Sequence, residues 1–321
     1  MTQSTKQAAK LPAYLEALKS GFDLTARHWW LGILPFMVDM LLWLGPRLNY
    51  QVLGTQYLDF WMAQLDSAEL NQPIPIDQFY TLLERSNLLS ALSAPFFGLP
   101  ILLGGLAQTE TPLPTQTIYL THWDEFGMNW MVLAFASMLL SAAYFSLIAQ
   151  SVRDGALDLV DFGRNLLSNT FRLITLTIIA IIALFIILIP LTFVAGIAGL
   201  VNQSLTFVVL IGGSIVIMWG VILFSFTSQA LFLQRVSPFR AVRTSFQVIR
   251  RHLNAVLPLL LAVVLITSVV DNLWLLVYDG SWLVLVSLAG HAFIATSLVT
   301  ATFIFFQKLT TTAESDMAPT Q

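Results

Sequence analysis

From Leu173 to Leu233 the chain carries no charged residue. Only two structures can hold so long an apolar stretch, a protein interior or a lipid bilayer. A helix of about 20 residues spans the hydrocarbon core and satisfies its own backbone hydrogen bonds. This stretch is long enough for two such helices, and Asn202-Gln203 marks the turn between them. The rest of the chain fits the same solvent. Of 321 residues, 57% are hydrophobic and 10% are charged, too few charges to clothe a water-facing surface, where about 25% is usual.

Apolar runs at about 29–46, 128–150, 173–200, 205–233, 253–277 and 282–306 predict six spans in an all-α, polytopic transmembrane helical bundle. A single integral membrane domain is expected over 1–308, followed by a disordered cytoplasmic tail at 309–321. The first 28 residues are polar and amphipathic, and no small-residue cleavage site follows the first apolar run. That run is therefore expected to stay as an anchor. Pro190 predicts a kink in the third span.

Basic residues orient the bundle. Lys6, Lys10, Lys19, Arg27, Arg153, Arg164, Arg172, Arg235, Arg240, Arg243, Arg250, Arg251 and Lys308 fall on one side, 13 of the 15 basic residues in the chain. The expected location is the inner (plasma) membrane of the cell, with both termini cytoplasmic. The other side carries Arg47, Arg85 and a group of acids that includes Asp59, Asp66, Glu69, Asp77, Glu84, Asp124, Glu125 and Asp279. Residues 86–107 are uncharged and long enough to span. A span there would turn both arginine-rich loops outward, and its prolines and glycines suit a helix poorly. It is read as a re-entrant or interfacial element inside an external loop, 47–127, with amphipathic helices at 51–70 and 76–85 split by Pro73 and Pro75.

Two basic segments repeat. Residues 17–28, ALKSGFDLTARH, align with 241–252, AVRTSFQVIRRH, with Ala, Phe, Arg and His identical at equal spacing. Leu15, Leu18 and Phe22, and Phe239, Val242, Phe246, Ile249 and Leu253, fall at helical spacing, with basic residues largely opposite. Each copy predicts an amphipathic in-plane helix on the inner leaflet, its apolar face toward the acyl chains. Lys19, Arg27, His28, Arg243, Arg250, Arg251 and His252 are candidate lipid-headgroup contacts. Ser237-Pro238 suits a helix start. Residues 156–172 form a weaker third copy.

The segment Ser237–Phe246, SPFRAVRTSF, running through Arg250-Arg251-His252 into an apolar span, resembles a pattern of the YciC-like bacterial membrane protein family. It also resembles the membrane domain fused to some glycerophosphodiester phosphodiesterases. The shared "P-x-x-A-x-x-x-S" spacing is Pro238, Ala241 and Ser245 here. The resemblance implies six spans with short amphipathic helices before them. It assigns no catalytic residue, and the soluble phosphodiesterase domain has no counterpart in this sequence.

Within the spans, Asp39, Asp271 and His291 are candidate functional residues, because an intramembrane ionisable group costs about 2.5–3.5 kcal/mol at a helix centre on insertion scales. The bland alternatives are acids close enough to a helix end to reach interfacial water, and a histidine bonded to a neighbouring helix. His122, Asp124 and Glu125 form a small polar cluster that could hold a metal only weakly. No cysteine occurs, and no phosphate loop, catalytic triad or metal-ligand cluster is evident. No catalytic, cofactor or metal site is expected, and with no basic domain no nucleic-acid partner. The expected function is non-enzymatic: organising membrane lipids, or other membrane proteins, at the inner leaflet. The alternative is a transporter or permease subunit using Asp39 and Asp271.

Overall fold

A computed structural model describes residues 12–66, 76–93, 96–104, 110–277 and 280–315. Lys6, Lys10, Glu69, Pro73, Pro75 and Asp279 lie outside them, as do Pro95 and residues 105–107 of the expected re-entrant element. The elements are α1 (Ala13–Arg27), α2 (Ile33–Leu44), β1 (Arg47–Asn49), α3 (Gln51–Asp66), α4 (Ile76–Glu84), β2 (Thr117–Tyr119), α5 (Trp123–Arg153), α6 (Leu159–Val201), α7 (Gln203–Phe224), α8 (Thr227–Leu233), α9 (Pro238–Trp274) and α10 (Val284–Ser315).

Five helical stretches are long and apolar enough to cross a membrane: α5, α6, α7 with α8, α9, and α10. The chain is a helical bundle built for an apolar solvent. The first expected span is shorter, an apolar helix over Trp29–Leu44. It opens with a 3-10 turn at Trp29–Gly32 and ends where Pro46 forces Gly45 to an extended backbone, ψ 174°. At 1.5 Å per residue it falls short of a core about 30 Å thick.

α10 is the central helix. In its apolar window 61% of residues are buried, against 11% in α6 and 6% in α7–α8. It packs on α1, α2, α5, α8 and α9. Its inward face is small or hydroxylated at Ala292, Ala295, Thr296, Ser297, Thr300 and Ala301, all buried. Small residues let backbones approach where lipid offers no hydrophobic drive between helices. The α6–α7 hairpin turns at Asn202, whose Oδ1 accepts from Ser204 N at 2.9 Å. It presents Phe185, Ile186, Phe193, Leu200 and Val201 outward, the residue types that face acyl chains.

Several expectations shift. α6 remains helical through Pro190, whereas α9 breaks at His252, short of Pro258. The apolar run expected as one helix over 205–233 is interrupted at Ser225-Phe226. α10 continues to Ser315, into the expected disordered tail. There the Thr310 and Thr311 hydroxyls donate to Gln307 O at 3.0 and 2.7 Å.

The 47–127 segment is a folded cap. β1 pairs with β2 in parallel, Arg47 opposite Thr117, which closes the segment at its base. Asn49 Nδ2 donates to Glu84 O at 2.8 Å, and Asn87 Oδ1 accepts from Leu48 N at 3.1 Å. Residues 86–107 hold a 3-10 turn, Leu88–Leu92, and no spanning helix among the described residues. Leu89, Leu92, Phe97, Leu99 and Leu103 enter the main core, and Ser137 Oγ of α5 donates to Leu92 O at 2.7 Å.

Candidate functional site

The repeat detected in the sequence extends to burial. Ala17 and Ala241, Gly21 and Ser245, and Thr25 and Ile249 are all buried. These positions recur every four residues in both copies, one stripe along each helix. The buried stripe runs mainly through small residues, and on the Phe/Leu face expected toward the acyl chains Phe239 is 71% exposed and Phe246 45%, while Leu18 and Ile249 of that face are buried. Gly21 explains the choice, since a Cβ there would lie 2.5 Å from Ser297 O and 2.7 Å from Ala301 Cβ. In the second copy Ser245 Oγ donates to Leu223 O at 2.7 Å and accepts from Phe226 N at 3.3 Å. That ties α9 to the break between α7 and α8.

Each copy stops helical geometry at its histidine: His28 has φ −118°, ψ 53° and His252 φ −124°, ψ 29°. The weaker third copy has no such break, because α6 runs straight from Leu159 through the matching region. Lys19, Arg27, Arg240, Arg243, Arg250 and Arg251 are all exposed. None forms an ion pair with a described residue. Arg240 and Arg243 line an open groove with Ser237, Phe239, Thr244 and Gln247. Ser237 precedes Pro238 at the helix start without a side-chain cap, so its hydroxyl stays available to the groove.

A second feature of this end was not legible in the sequence. Asp161, in the first turn of α6, accepts a hydrogen bond from Arg235, which lies between α8 and α9, and Arg164 approaches it at 3.5 Å. Asp158 caps α6 by accepting from Val160 N and Asp161 N at 2.9 and 3.0 Å. Arg153 grips Asp154 at 2.6 Å, and that hydrogen bond holds the Asp154 carboxyl below its usual range. Arg235 sits at φ 53°, a left-handed conformation unfavourable for a residue with a Cβ. In the sequence these arginines counted only toward orientation; the pairing comes from two loops far apart in the chain.

Deeper in the bundle, the structure gathers the three intramembrane candidates. Asp39 is fully buried, not within reach of water. Its Oδ1 accepts from Leu103 N at 2.9 Å and its Oδ2 from Leu102 N at 3.0 Å. His291 Nδ1 bonds Asp271 Oδ1 at 2.9 Å, so the histidine does bond a neighbouring helix. The His291 side chain is 4% exposed and that of Asp271 33%. Asp39 lies within electrostatic range of both. His291 Nε2, Trp274 Nε1 and Ser287 Oγ are buried without partners. A buried polar atom left unpaired costs about 1–3 kcal/mol, so this corner holds unused hydrogen-bonding capacity. Trp274 of α9 and Ser287, one turn before His291 on α10, were missed in the sequence; their buried polar atoms become visible only with the packing.

An apolar cavity of about 230 Å³ is walled by Phe96 and Phe97 on one side and by Phe145, Leu184 and Ile217 of the helices on the others. Among the described residues no three His, Asp or Glu side chains converge as metal ligands, and the His122–Glu125 cluster is no exception. No protein-family model, curated protein or solved structure matches the chain.

Proposed function

We propose that this chain is a non-catalytic multi-pass protein of the inner (plasma) membrane that organises anionic lipids at the cytoplasmic leaflet, with both termini on that side. The observation that carries this reading is the row of exposed, unpaired cations on two helices that share one burial register. A guanidinium matches a phosphate with paired donors, and a basic residue near an anionic surface contributes about 1 kcal/mol. Phe239, exposed beside Arg240 and Arg243, supplies an apolar anchor next to the headgroup site. The orientation rests on the one-sided placement of Lys and Arg.

The test is lipid selectivity. Purified protein in nanodiscs of mixed anionic and zwitterionic phospholipid should retain anionic lipid preferentially when its annular lipids are analysed by native mass spectrometry. A variant carrying Arg240→Glu, Arg243→Glu, Arg250→Glu and Arg251→Glu should lose that preference. Equal retention by both proteins would overturn the reading. Because the chain has no cysteine, single cysteines in place of Thr311 and Glu125 would report the two sides of the membrane with an impermeant thiol reagent.

A further inference from the structure

Asp39 grips the backbone of 102–103 with both oxygens. The same segment contributes Phe96 and Phe97 to the wall of the apolar cavity. Residues 96–104 contain no regular secondary structure; burial of Phe97, Leu99 and Leu103, packing of Ile101 and Leu102, a 3.4 Å hydrogen bond from Ser93 Oγ to Leu99 O and the Asp39 clamp hold them against the bundle. Phe96 stands at φ 70°, a backbone conformation that persists only where surrounding structure enforces it.

We propose that Asp39, Asp271 and His291 form one intramembrane proton-binding site whose occupancy controls the packing of residues 96–104 over the apolar cavity. The ligand is the proton itself. Ionised, Asp39 presents acceptors to two N–H donors, and both bonds are charge-assisted. Protonated, it turns one oxygen into a donor facing an N–H, and the charge that strengthened both bonds is gone. The charged groups acting on Asp39 are His291, from α10, and Asp271, from α9; residues 96–104 bring no titratable side chain. Asp271 is one-third exposed at the surface of the bundle. His291 carries one nitrogen on that carboxylate and the other buried and unpartnered. Rows of Asp, Glu and His inside bundles serve proton movement in membrane proteins generally. This inference is independent of lipid binding at the arginine-rich helices.

The absence of cysteine makes a clean test available. Gly104 is exposed, and a Cβ there meets only Ile101 at 3.4 Å or more. Gly104→Cys, spin-labelled in nanodiscs, reports the mobility of the segment beside Leu103 by electron paramagnetic resonance as pH is varied. The expected result is a transition from an immobile to a mobile spectrum as pH falls. Asp39→Asn should give the mobile spectrum at every pH. Asp271→Asn should move the midpoint to lower pH and His291→Gln to higher pH, because they remove charges of opposite sign. A pH-independent wild-type spectrum overturns the proposal, as does a transition unchanged by Asp39→Asn. Should Asp39→Asn fail to fold, the Asp271 and His291 variants decide alone: an unmoved midpoint in both overturns it.

Discussion

His28 and His252 leave the helix with nearly the same backbone angles, φ −118°, ψ 53° and φ −124°, ψ 29°, at matching positions of two segments with matching burial. The break at His252 precedes Pro258, so the proline is not its site. Both segments leave helical geometry at the same residue type, directly after a basic side chain. The resemblance between 17–28 and 241–252 is therefore three-dimensional as well as sequential.

Gly21 is where α1 meets the central helix most closely. Gly21→Val should lower the thermal unfolding midpoint in detergent, followed by circular dichroism, with a loss of about 1–3 kcal/mol for overpacking. Gly212 has nothing within 4 Å of an added Cβ. Gly212→Ala should leave stability unchanged or raise it by up to about 1 kcal/mol. Equal effects at the two sites would contradict the close approach.

The fully buried Tyr144 donates its hydroxyl to Thr296 Oγ1 at 3.2 Å, joining α5 to α10. Tyr144→Phe should cost about 0.5–1.5 kcal/mol. Thr296→Val leaves the phenol unpaired and should cost more, about 1–3 kcal/mol. The double variant should be less destabilised than the sum of the two, a coupling that a double-mutant cycle measures.

At Arg235 the backbone and the side chain pull in opposite directions. Arg235→Ala loses the Asp161 pair and keeps the left-handed backbone. Arg235→Gly loses the same pair but relieves the backbone, so it should be more stable than the alanine variant by about 1 kcal/mol. Chemical denaturation of the two side by side checks the difference. An alanine variant as stable as the glycine variant would mean that the loop relaxes once the pair is gone.

Asp154 sets an acid-side prediction. Its carboxyl sits below the ordinary 3.8 because of the Arg153 hydrogen bond. A carboxyl that holds protons less tightly when folded contributes stability that is complete above that ordinary value and is lost as pH falls through the depressed one. Wild type should thus lose more stability than Asp154→Asn on acidification below about pH 4. The Asp154 side chain is 48% exposed, so the difference should be small and should shrink further in high salt. Coincident acid slopes at low salt would show that the pair contributes nothing.

Much of the architecture is legible in the chain itself. The uncharged stretch from Leu173 to Leu233 dictates a helical hairpin, because lipid leaves backbone groups no other partners. Asn202 marks its turn through the local capping chemistry of its own side chain. Matching Ala, Phe, Arg and His positions disclose the twin helices. The three intramembrane ionisable residues stand out one by one because burying such groups is expensive. What only the tertiary structure decides is which of these features meet. Helical periodicity marks the Phe face of α1 and α9 as apolar, but the partner helix selects the small face, since only there do backbones come close enough to pack. The grip of Asp39 on Leu102 and Leu103, the bond between His291 and Asp271, and the pairing of Asp161 with Arg235 all cross long sequence separations. Such contacts depend on how the helices pack, and no local pattern in the chain encodes them.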